Sequence, residues 1–125
     1  MNRPEIIFKL LENKAKYIAI QIIAIHQDLT LNYKEFYLSQ KLIENGTILG
    51  EKIAEMSLIP PKGYQKFCND HIYPFINKTH YWLGLLVDSG KMDETLHQFL
   101  VQELNQLETM LQENTRLNAP DKPLS

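Results

Sequence analysis

Residues 17–25 read YIAIQIIAI and form the most apolar run of the chain. Gln21 is its only clearly polar residue, so apolar side chains point in nearly every direction around a helix formed there. The run is far shorter than the roughly 20 apolar residues that a membrane-spanning helix needs. We therefore interpret it as part of a helix in a protein core, and we expect that helix to be covered on more than one side.

On either side of this run, the hydrophobic spacing predicts four helices joined by short turns. The helices cover residues 4–28, 32–56, 64–88 and 93–111. Pro4 suits a first helical turn, Gly90 suits a left-handed C-terminal cap, and Asp93 suits an N-cap. The connector at residues 59–63 reads IPPKG, and its consecutive prolines remove backbone donors and end the preceding helix.

These four helices predict an all-α fold, an antiparallel up-down-up-down four-helix bundle. No segment shows a strand pattern of any length. We assign residues 1–113 to the bundle domain, because 125 residues suffice for one ordinary domain and are too few for two. Residues 114–125 contain Pro120 and Pro123 and are expected to form a flexible C-terminal tail.

The chain has 13 Lys and Arg residues against 15 Asp and Glu residues, a formal net charge of −2. This balance supplies no long-range attraction to phosphate, so a nucleic-acid site has to be a local patch. Cys68 is the only cysteine, which excludes an intrachain disulfide and fits a reducing compartment. The N-terminal residues lack the order of a signal peptide. We therefore expect a cytoplasmic protein without a membrane segment.

Small residues share the apolar face of the second predicted helix. They are Ser39, Gly46 and Gly50. Glycine inside a helix costs roughly 1 kcal/mol relative to alanine, and this cost is usually offset where a neighbouring backbone comes close. Close helix packing is therefore favoured over a ligand site at this face.

The third predicted helix has an apolar arc of roughly 200° on a helical wheel, whereas a helix packed only within its own bundle needs little more than 100°. The surplus edge, together with part of the first helix, predicts a contact with a second copy of the chain. The residues of this predicted interface are Tyr64, Phe67, Trp82, Leu85, Ile20 and Ile23. The alternative is that the tail or an irregularity of the bundle covers the edge, and Pro74 is expected to kink this helix.

The chain shows no convincing set of catalytic or metal-binding residues. Glu94 and His97 have the Glu-x-x-His spacing of di-iron bundles, but such sites need the motif on two helices. Cys68 and His71 lie one turn apart, yet one cysteine and one histidine are too few for a closed zinc site. No phosphate-binding glycine loop or nucleophile motif is present. We therefore predict no enzymatic activity, no cofactor, no metal and no small-molecule substrate.

Lysines give a weak signal for nucleic acid. Lys34, Lys41 and Lys52 are predicted to share one side of the second helix, and Lys9 and Lys16 one side of the first. Glutamates lie beside both rows, and such mixed faces are usually solvated pairing surfaces. An RNA- or DNA-binding module that repeats these lysines around an oligomer is the alternative hypothesis for function.

Two segments resemble a known family. Residues 42–50 read LIENGTILG and residues 79–90 read THYWLGLLVDSG. They are similar to the helix 2 and helix 3 signatures of the bacterial four-helix-bundle proteins associated with intervening sequences of 23S ribosomal RNA genes (S23-like proteins). The likeness covers about residues 5–112. It implies a homopentameric ring of unsettled molecular function. A related group, the accessory proteins of diversity-generating retroelements, is similar in fold and binds nucleic acid through a strongly basic surface.

The leading hypothesis is therefore a non-enzymatic homo-oligomer, pentameric by the resemblance, that acts as an interaction or scaffold module with itself as partner. Under this hypothesis Trp82→Ala shifts the oligomer toward smaller species, because aromatic anchors dominate interfaces. The alternative is a module whose partner is structured RNA or DNA.

Overall fold

The structure is a computed structural model that describes residues 3–119. Between those residues the chain forms helices and turns and contains no strand, which confirms the predicted all-α class. The α-helices are α1 (Arg3–Asn32), α2 (Tyr37–Met56), α3 (Tyr64–Phe67), α4 (Tyr73–Asp88) and α5 (Glu94–Leu117). A short 3₁₀ turn, Pro61–Gly63, precedes α3.

A π turn, Cys68–Ile72, joins α3 and α4 into one rod. Here the backbone N–H of Tyr73 donates to the carbonyl of Cys68, five residues back. Pro74 follows at once, and a proline ring inside a regular helix clashes with the carbonyl four residues earlier. A widened turn relieves that clash, since π turns interrupt the regular helical ladder. The irregularity expected at Pro74 thus takes the form of one π turn immediately before it.

The four rods pack as a closed ring of neighbours. α1 contacts α2 and α5, and α4 contacts the same two helices from the opposite corner. Short connections at residues 33–36, 57–63 and 89–93 join each rod to the next, so successive rods run antiparallel. The predicted four-helix bundle is confirmed.

Each rod contributes side chains to one core. The fully buried residues include Leu11, Ile18, Ile22, Leu42, Leu49, Ile53, Met56, Ile72, Ile76, Leu83, Leu86, Leu100, Leu104, Leu107 and Leu111. Within the apolar run at residues 17–25, Ile18 and Ile22 face this core, whereas Ile20 and Ile23 are exposed. A single chain therefore covers only one side of the helix that we expected to be covered on more than one.

The turn between α1 and α2 differs from the prediction, which placed the start of the second helix at residue 32. α2 begins at Tyr37 instead, because Glu35 fixes the preceding turn. Its carboxylate accepts the backbone N–H of Leu38 at 2.7 Å and lies 2.6 Å from Nζ of Lys91. Lys34 has a φ of +55° and is not helical.

Both ends of the last connection follow the predicted capping. Gly90 has a φ of +77°, in the left-handed region that glycine tolerates. The Asp93 side chain accepts the backbone N–H of Thr95 at 3.0 Å and caps α5. These two predictions are confirmed.

α5 extends to Leu117, beyond the predicted end at residue 111. The physical reason is burial: Asn114 is 3% exposed and Thr115 is 5% exposed, so the amphipathic stripe continues past the predicted boundary. The tail expected from residue 114 therefore cannot begin before residue 118. Pro120 and Pro123 lie outside the described residues.

Between residues 3 and 119, none of the helices combines the length and the apolar character needed to cross a membrane.

Candidate interaction surfaces

The outer face of α1 carries mainly apolar side chains at alternating intervals of four and three residues, with Asn13 and Gln27 as its polar members. We call these positions the α1 stripe: Ile6, Leu10, Asn13, Tyr17, Ile20, Ala24, Gln27 and Leu31. All of them are exposed in the single chain, and Leu10, Ile20 and Leu31 are 54%, 52% and 70% exposed. On a helical wheel the α1 stripe lies nearly opposite the core-facing residues. Its spacing is the one by which helices pair in coiled coils.

The two flanks of the α1 stripe differ in how their charged side chains are paired. On the α5 side, Lys14 forms an ion pair with Glu103, and the Tyr17 ring packs edge-on against Phe99 with centroids 6.3 Å apart. On the other side, Lys9 is exposed and makes no ion pair within the described residues. Lys16, two turns further along, is likewise exposed and unpaired within that range. Glu5 and Glu12 lie beside these two lysines on the same flank, so this edge of the α1 stripe carries charges of both signs.

Ile20 and Ile23 were both predicted to lie in an interface between copies. Ile20 belongs to the α1 stripe, and Ile23 lies beside it with 41% of its side chain exposed. Both are therefore accessible to a partner.

The aromatic part of the predicted interface lies deeper. Tyr64 is 6% exposed and packs edge-on against Phe8, with ring centroids 5.6 Å apart. Packing within the single chain therefore explains the burial of Tyr64. This burial raises the pKa of the Tyr64 hydroxyl. Phe67 is partly buried and its ring lies 4.9 Å from that of His71. These residues fill the end of the bundle near α3.

Trp82 lies in an aromatic cluster between α2 and α4. The Tyr37 ring meets it edge-on with centroids 6.2 Å apart, and the Tyr81 ring does so at 5.0 Å. Trp82 and Leu85 are both partly buried, whereas Tyr37 and Tyr81 are 64% and 59% exposed. The accessible aromatic surface here is therefore mainly that of the two tyrosines.

The small residues of α2 face α1. A Cβ atom at Gly46 would collide with Cδ1 of Ile22, and one at Gly50 would lie 3.8 Å from Cβ of Ala15. Ser39 is fully buried and its hydroxyl donates to the carbonyl of Glu35 at 2.8 Å. An added Cβ at Gly46 would therefore displace the end of the Ile22 side chain, whereas one at Gly50 would make an ordinary contact with Ala15.

The five lysines of the nucleic-acid hypothesis do not gather on one surface. Lys34 lies in the turn before α2, so its predicted alignment with Lys41 and Lys52 is wrong. Lys52 is paired with a glutamate one turn along the same helix, at 3.4 Å. Lys9 and Lys16 lie along α1. Lys41 lines a concave site.

That site is a groove of about 460 Å³ between α2 and α4. We call it the α2–α4 groove, and it is lined by Lys41, Glu44, Asn45, Asn77, Lys78, Tyr81 and Trp82. The ammonium group of Lys41 lies 5.6 Å from the centroid of the Tyr37 ring. The ammonium group of Lys78 lies 5.1 Å from the centroid of the Phe75 ring. Such cation–π contacts hold both charges at the edges of the groove.

The residues considered for metal binding are separated by the fold. Cys68 is buried with its Sγ 3.4 Å from Sδ of Met56, and burial raises the pKa of its thiol to about 11. His71 is exposed on the π turn, and His97 is partly buried near the start of α5. Among the residues that the structure describes, no three His, Cys, Asp or Glu side chains converge on a point that could hold a metal ion.

Several surface residues were missed in the sequence interpretation. The full α1 stripe was readable as alternating four- and three-residue spacing, but the apolar run at residues 17–25 concealed which face was the outer one. Tyr37 and Lys78 gave only local signals, one turn from Lys41 and Trp82 on their own helices, and Tyr81 directly precedes Trp82. Their meeting across the α2–α4 groove depends on how α2 and α4 pair.

These features define an all-helical bundle with an exposed apolar face, and a solved structure is similar to it over nearly its whole length. The crystal structure of a protein of unknown function from the S23 ribosomal protein family, from Bacteroides thetaiotaomicron VPI-5482, superposes with a TM-score of 0.75. The match covers 92% of this chain and 99% of that chain at 19% sequence identity. No family model and no curated protein matches the chain.

At this identity the match shows a shared fold. The resemblance inferred from residues 42–50 and 79–90 is confirmed at that level: the neighbour comes from the S23 ribosomal protein family and has the same bundle. Its function is unknown, so it assigns no activity to this chain.

Proposed function

We propose that this chain is a non-enzymatic, homo-oligomeric interaction or scaffold protein of the bacterial cytoplasm whose copies associate through the α1 stripe. The observation that carries the proposal is the exposure of Leu10, Ile20 and Leu31, each more than half exposed in the single chain. Helices with apolar residues at this spacing bury them against another helix. Most soluble oligomers are built from identical chains, so a second copy is the favoured partner.

The energetics indicate that the contact extends beyond the α1 stripe itself. Fully burying a large apolar side chain contributes about 1.5–3 kcal/mol, so covering a half-exposed one contributes about 1 kcal/mol. The five large apolar residues of the α1 stripe then supply roughly 5 kcal/mol. Association costs about 4–15 kcal/mol in lost freedom. A stable assembly therefore also uses the flanks of the α1 stripe.

A heterologous contact would place Lys9 and Lys16 against carboxylates of the next copy, of which Glu51 on α2 is exposed. Repeated heterologous contacts form a ring where the rotation between neighbouring copies closes. A pentameric ring is the form that the family resemblance implies.

The test is the mass of the protein in solution with a charge placed on the α1 stripe. Ile20→Glu puts a carboxylate at a position that is 52% exposed in the single chain, so the bundle itself still folds. We expect the wild-type protein to have about five times the 14.6 kDa mass of one chain, near 73 kDa, by light scattering at micromolar concentration. Ile20→Glu should reduce this to the mass of one chain.

Leu58→Glu is the matched control, because Leu58 is 86% exposed and lies outside the α1 stripe. It introduces the same charge at an exposed leucine and should leave the mass unchanged. A wild-type monomer of 14.6 kDa would refute the proposal. Equal dissociation by both variants would show that the α1 stripe has no special role.

A further inference from the structure

The α2–α4 groove places exposed aromatic rings beside two ammonium groups. Tyr81 is 59% exposed, and its ring stands at 77° to that of Trp82. Tyr37, on the other helix, stands at 81° to the same indole. Edge-on packing against Trp82 holds each tyrosine at a defined angle while leaving ring surface open to solvent. Open aromatic faces of this kind are platforms on which planar apolar groups stack.

The local charge of the α2–α4 groove is opposite in sign to that of the whole chain. Lys41 and Lys78 contribute two positive charges and Glu44 contributes one negative charge, which leaves one positive charge in excess. The chain as a whole carries −2. An anionic ligand is therefore attracted to this groove despite the net negative charge of the chain.

Two amide side chains complete the lining. The Nδ2 group of Asn45 donates to the carbonyl of Lys41 at 2.7 Å, which fixes the orientation of that amide. Asn77 lies on α4 and is exposed. An amide presents both a donor and acceptor capacity, which suits the edge of a nucleobase.

From these features we propose that the α2–α4 groove binds single-stranded nucleic acid, with a base stacked on Tyr81 and the neighbouring phosphates near Lys41 and Lys78. The ligand chemistry follows from the combination: stacking surfaces recognise any planar base, and lysines at the edges recognise the backbone that joins the bases. Of the five lysines singled out from the sequence, only Lys41 belongs to this site. The groove is separate from the α1 stripe, so this binding does not depend on the proposed oligomer.

The experiment uses the fluorescence of Trp82, the only tryptophan in the chain and a residue of the α2–α4 groove. The full-length protein is titrated with a single-stranded oligothymidylate of roughly ten nucleotides at about 20 mM and about 200 mM salt, because phosphate contacts weaken steeply with salt. Inorganic polyphosphate, thymidine monophosphate and a duplex of the same length are titrated in parallel. We expect saturable quenching by the single strand, weaker binding of the monophosphate and duplex, and no quenching by polyphosphate.

Variants assign the roles of the groove residues. Tyr81→Ala should weaken binding about tenfold, since stacking of one base on an aromatic ring is of that order. Replacing both Lys41 and Lys78 by alanine should also reduce the salt dependence, by about 0.7 in logarithmic slope for each phosphate that a lysine no longer neutralises. Glu44→Gln should tighten binding, because it removes the one negative charge of the groove.

Lys62→Ala is the control for charge alone, because Lys62 is exposed at the opposite end of the bundle. It should leave the affinity nearly unchanged. The proposal fails if the single strand gives no saturable quenching at the lower salt concentration. It fails equally if Lys62→Ala weakens binding as much as the double lysine variant, or if the duplex binds as tightly as the single strand. The Ile20→Glu variant should still bind, which separates this result from the fate of the oligomer.

Discussion

Gly46 shows how a missing side chain on one helix leaves room for a side chain of its neighbour. α2 can approach α1 here because no Cβ occupies the space taken by Cδ1 of Ile22. Ile22 is itself fully buried, so it has little room to move aside. The cost of glycine in a helix, roughly 1 kcal/mol relative to alanine, is thus offset by packing at this position.

Comparing Gly46→Ala with Gly84→Ala tests this account. A Cβ at Gly84 meets no other heavy atom within 4 Å, so that variant should gain up to about 1 kcal/mol of stability from helix propensity. At Gly46 the same propensity gain is opposed by overpacking, which typically costs about 1–3 kcal/mol. Urea unfolding should therefore place Gly46→Ala below Gly84→Ala by about 1–3 kcal/mol.

Ile22→Val provides the complementary change, since valine lacks the Cδ1 atom that the new Cβ would meet. Combining it with Gly46→Ala should cost less than the sum of the two single substitutions. Additive costs, or a Gly46→Ala variant as stable as Gly84→Ala, would contradict the close approach.

At the scale of the elements, two details of the helices differ from what the hydrophobic periodicity alone predicts. The start of α2 depends on the contact between Glu35 and Lys91, which lie in two different turns and are 56 residues apart in the sequence. The rod built from α3 and α4 depends on a π turn that accommodates Pro74. One detail lies where a helix begins and the other where a helix is interrupted. The hydrophobic periodicity had already predicted the helices themselves.

The Glu35–Lys91 contact predicts a dependence of stability on pH. The Lys91 ammonium, and then the Leu38 N–H, hold the pKa of the Glu35 carboxyl below its usual 4.5. The folded state therefore binds this proton less tightly than the unfolded state. The stabilisation is present above pH 4.5 and is lost as the pH falls through the lowered folded pKa.

Glu35→Gln should consequently lower the free energy of unfolding by about 0.5–1 kcal/mol at pH 7, the range for a partly exposed ion pair. The difference from wild type should shrink as the pH falls below 4.5. Glu113→Gln is the control, because its pair with Arg116 is exposed on one helix and should matter little. A Glu35→Gln deficit that persists undiminished in acid would rule out the ion pair as its cause.

At the scale of the whole molecule, the central feature is that α1 is apolar on two opposite sides. One side forms the core with α2 and α5, and the other is the α1 stripe. Lys9 and Lys16 along its edge make the response of the assembly to salt informative, because salt screens any ion pair that they form with the next copy.

We expect added salt to reduce the average mass of the assembly at low micromolar concentration. In a heterologous contact the two lysines attract carboxylates of the next copy, and salt screens that attraction. Replacing both Lys9 and Lys16 by glutamine should lower the mass at low salt and remove most of its salt dependence. If salt or the double replacement instead strengthens assembly, these lysines are not paired with carboxylates of the next copy and the proposed heterologous contact is wrong.

The fold was predictable because its determinants are local. Leu100, Leu104, Leu107 and Leu111 repeat along one side of α5, and similar repeats mark the other rods. The candidate surfaces were predictable only in part. Ile20 and Ile23 are exposed, as an interface between copies requires. In contrast, Tyr64 is buried within the chain, and Lys34 lies in a turn and not in the predicted helix. A wheel gives the width of an apolar arc but not which part of it the neighbouring helices cover.

The sequence by itself determined four helices, their order and their caps at Gly90 and Asp93, since backbone conformation and amphipathic periodicity are properties of neighbouring residues. Only the tertiary structure decided which face of α1 became core, where α2 begins, and which rings of α2 and α4 meet around Trp82. The physical reason is that burial and cross-helix contact depend on residues far apart in the chain. Their pairing is settled by packing in three dimensions.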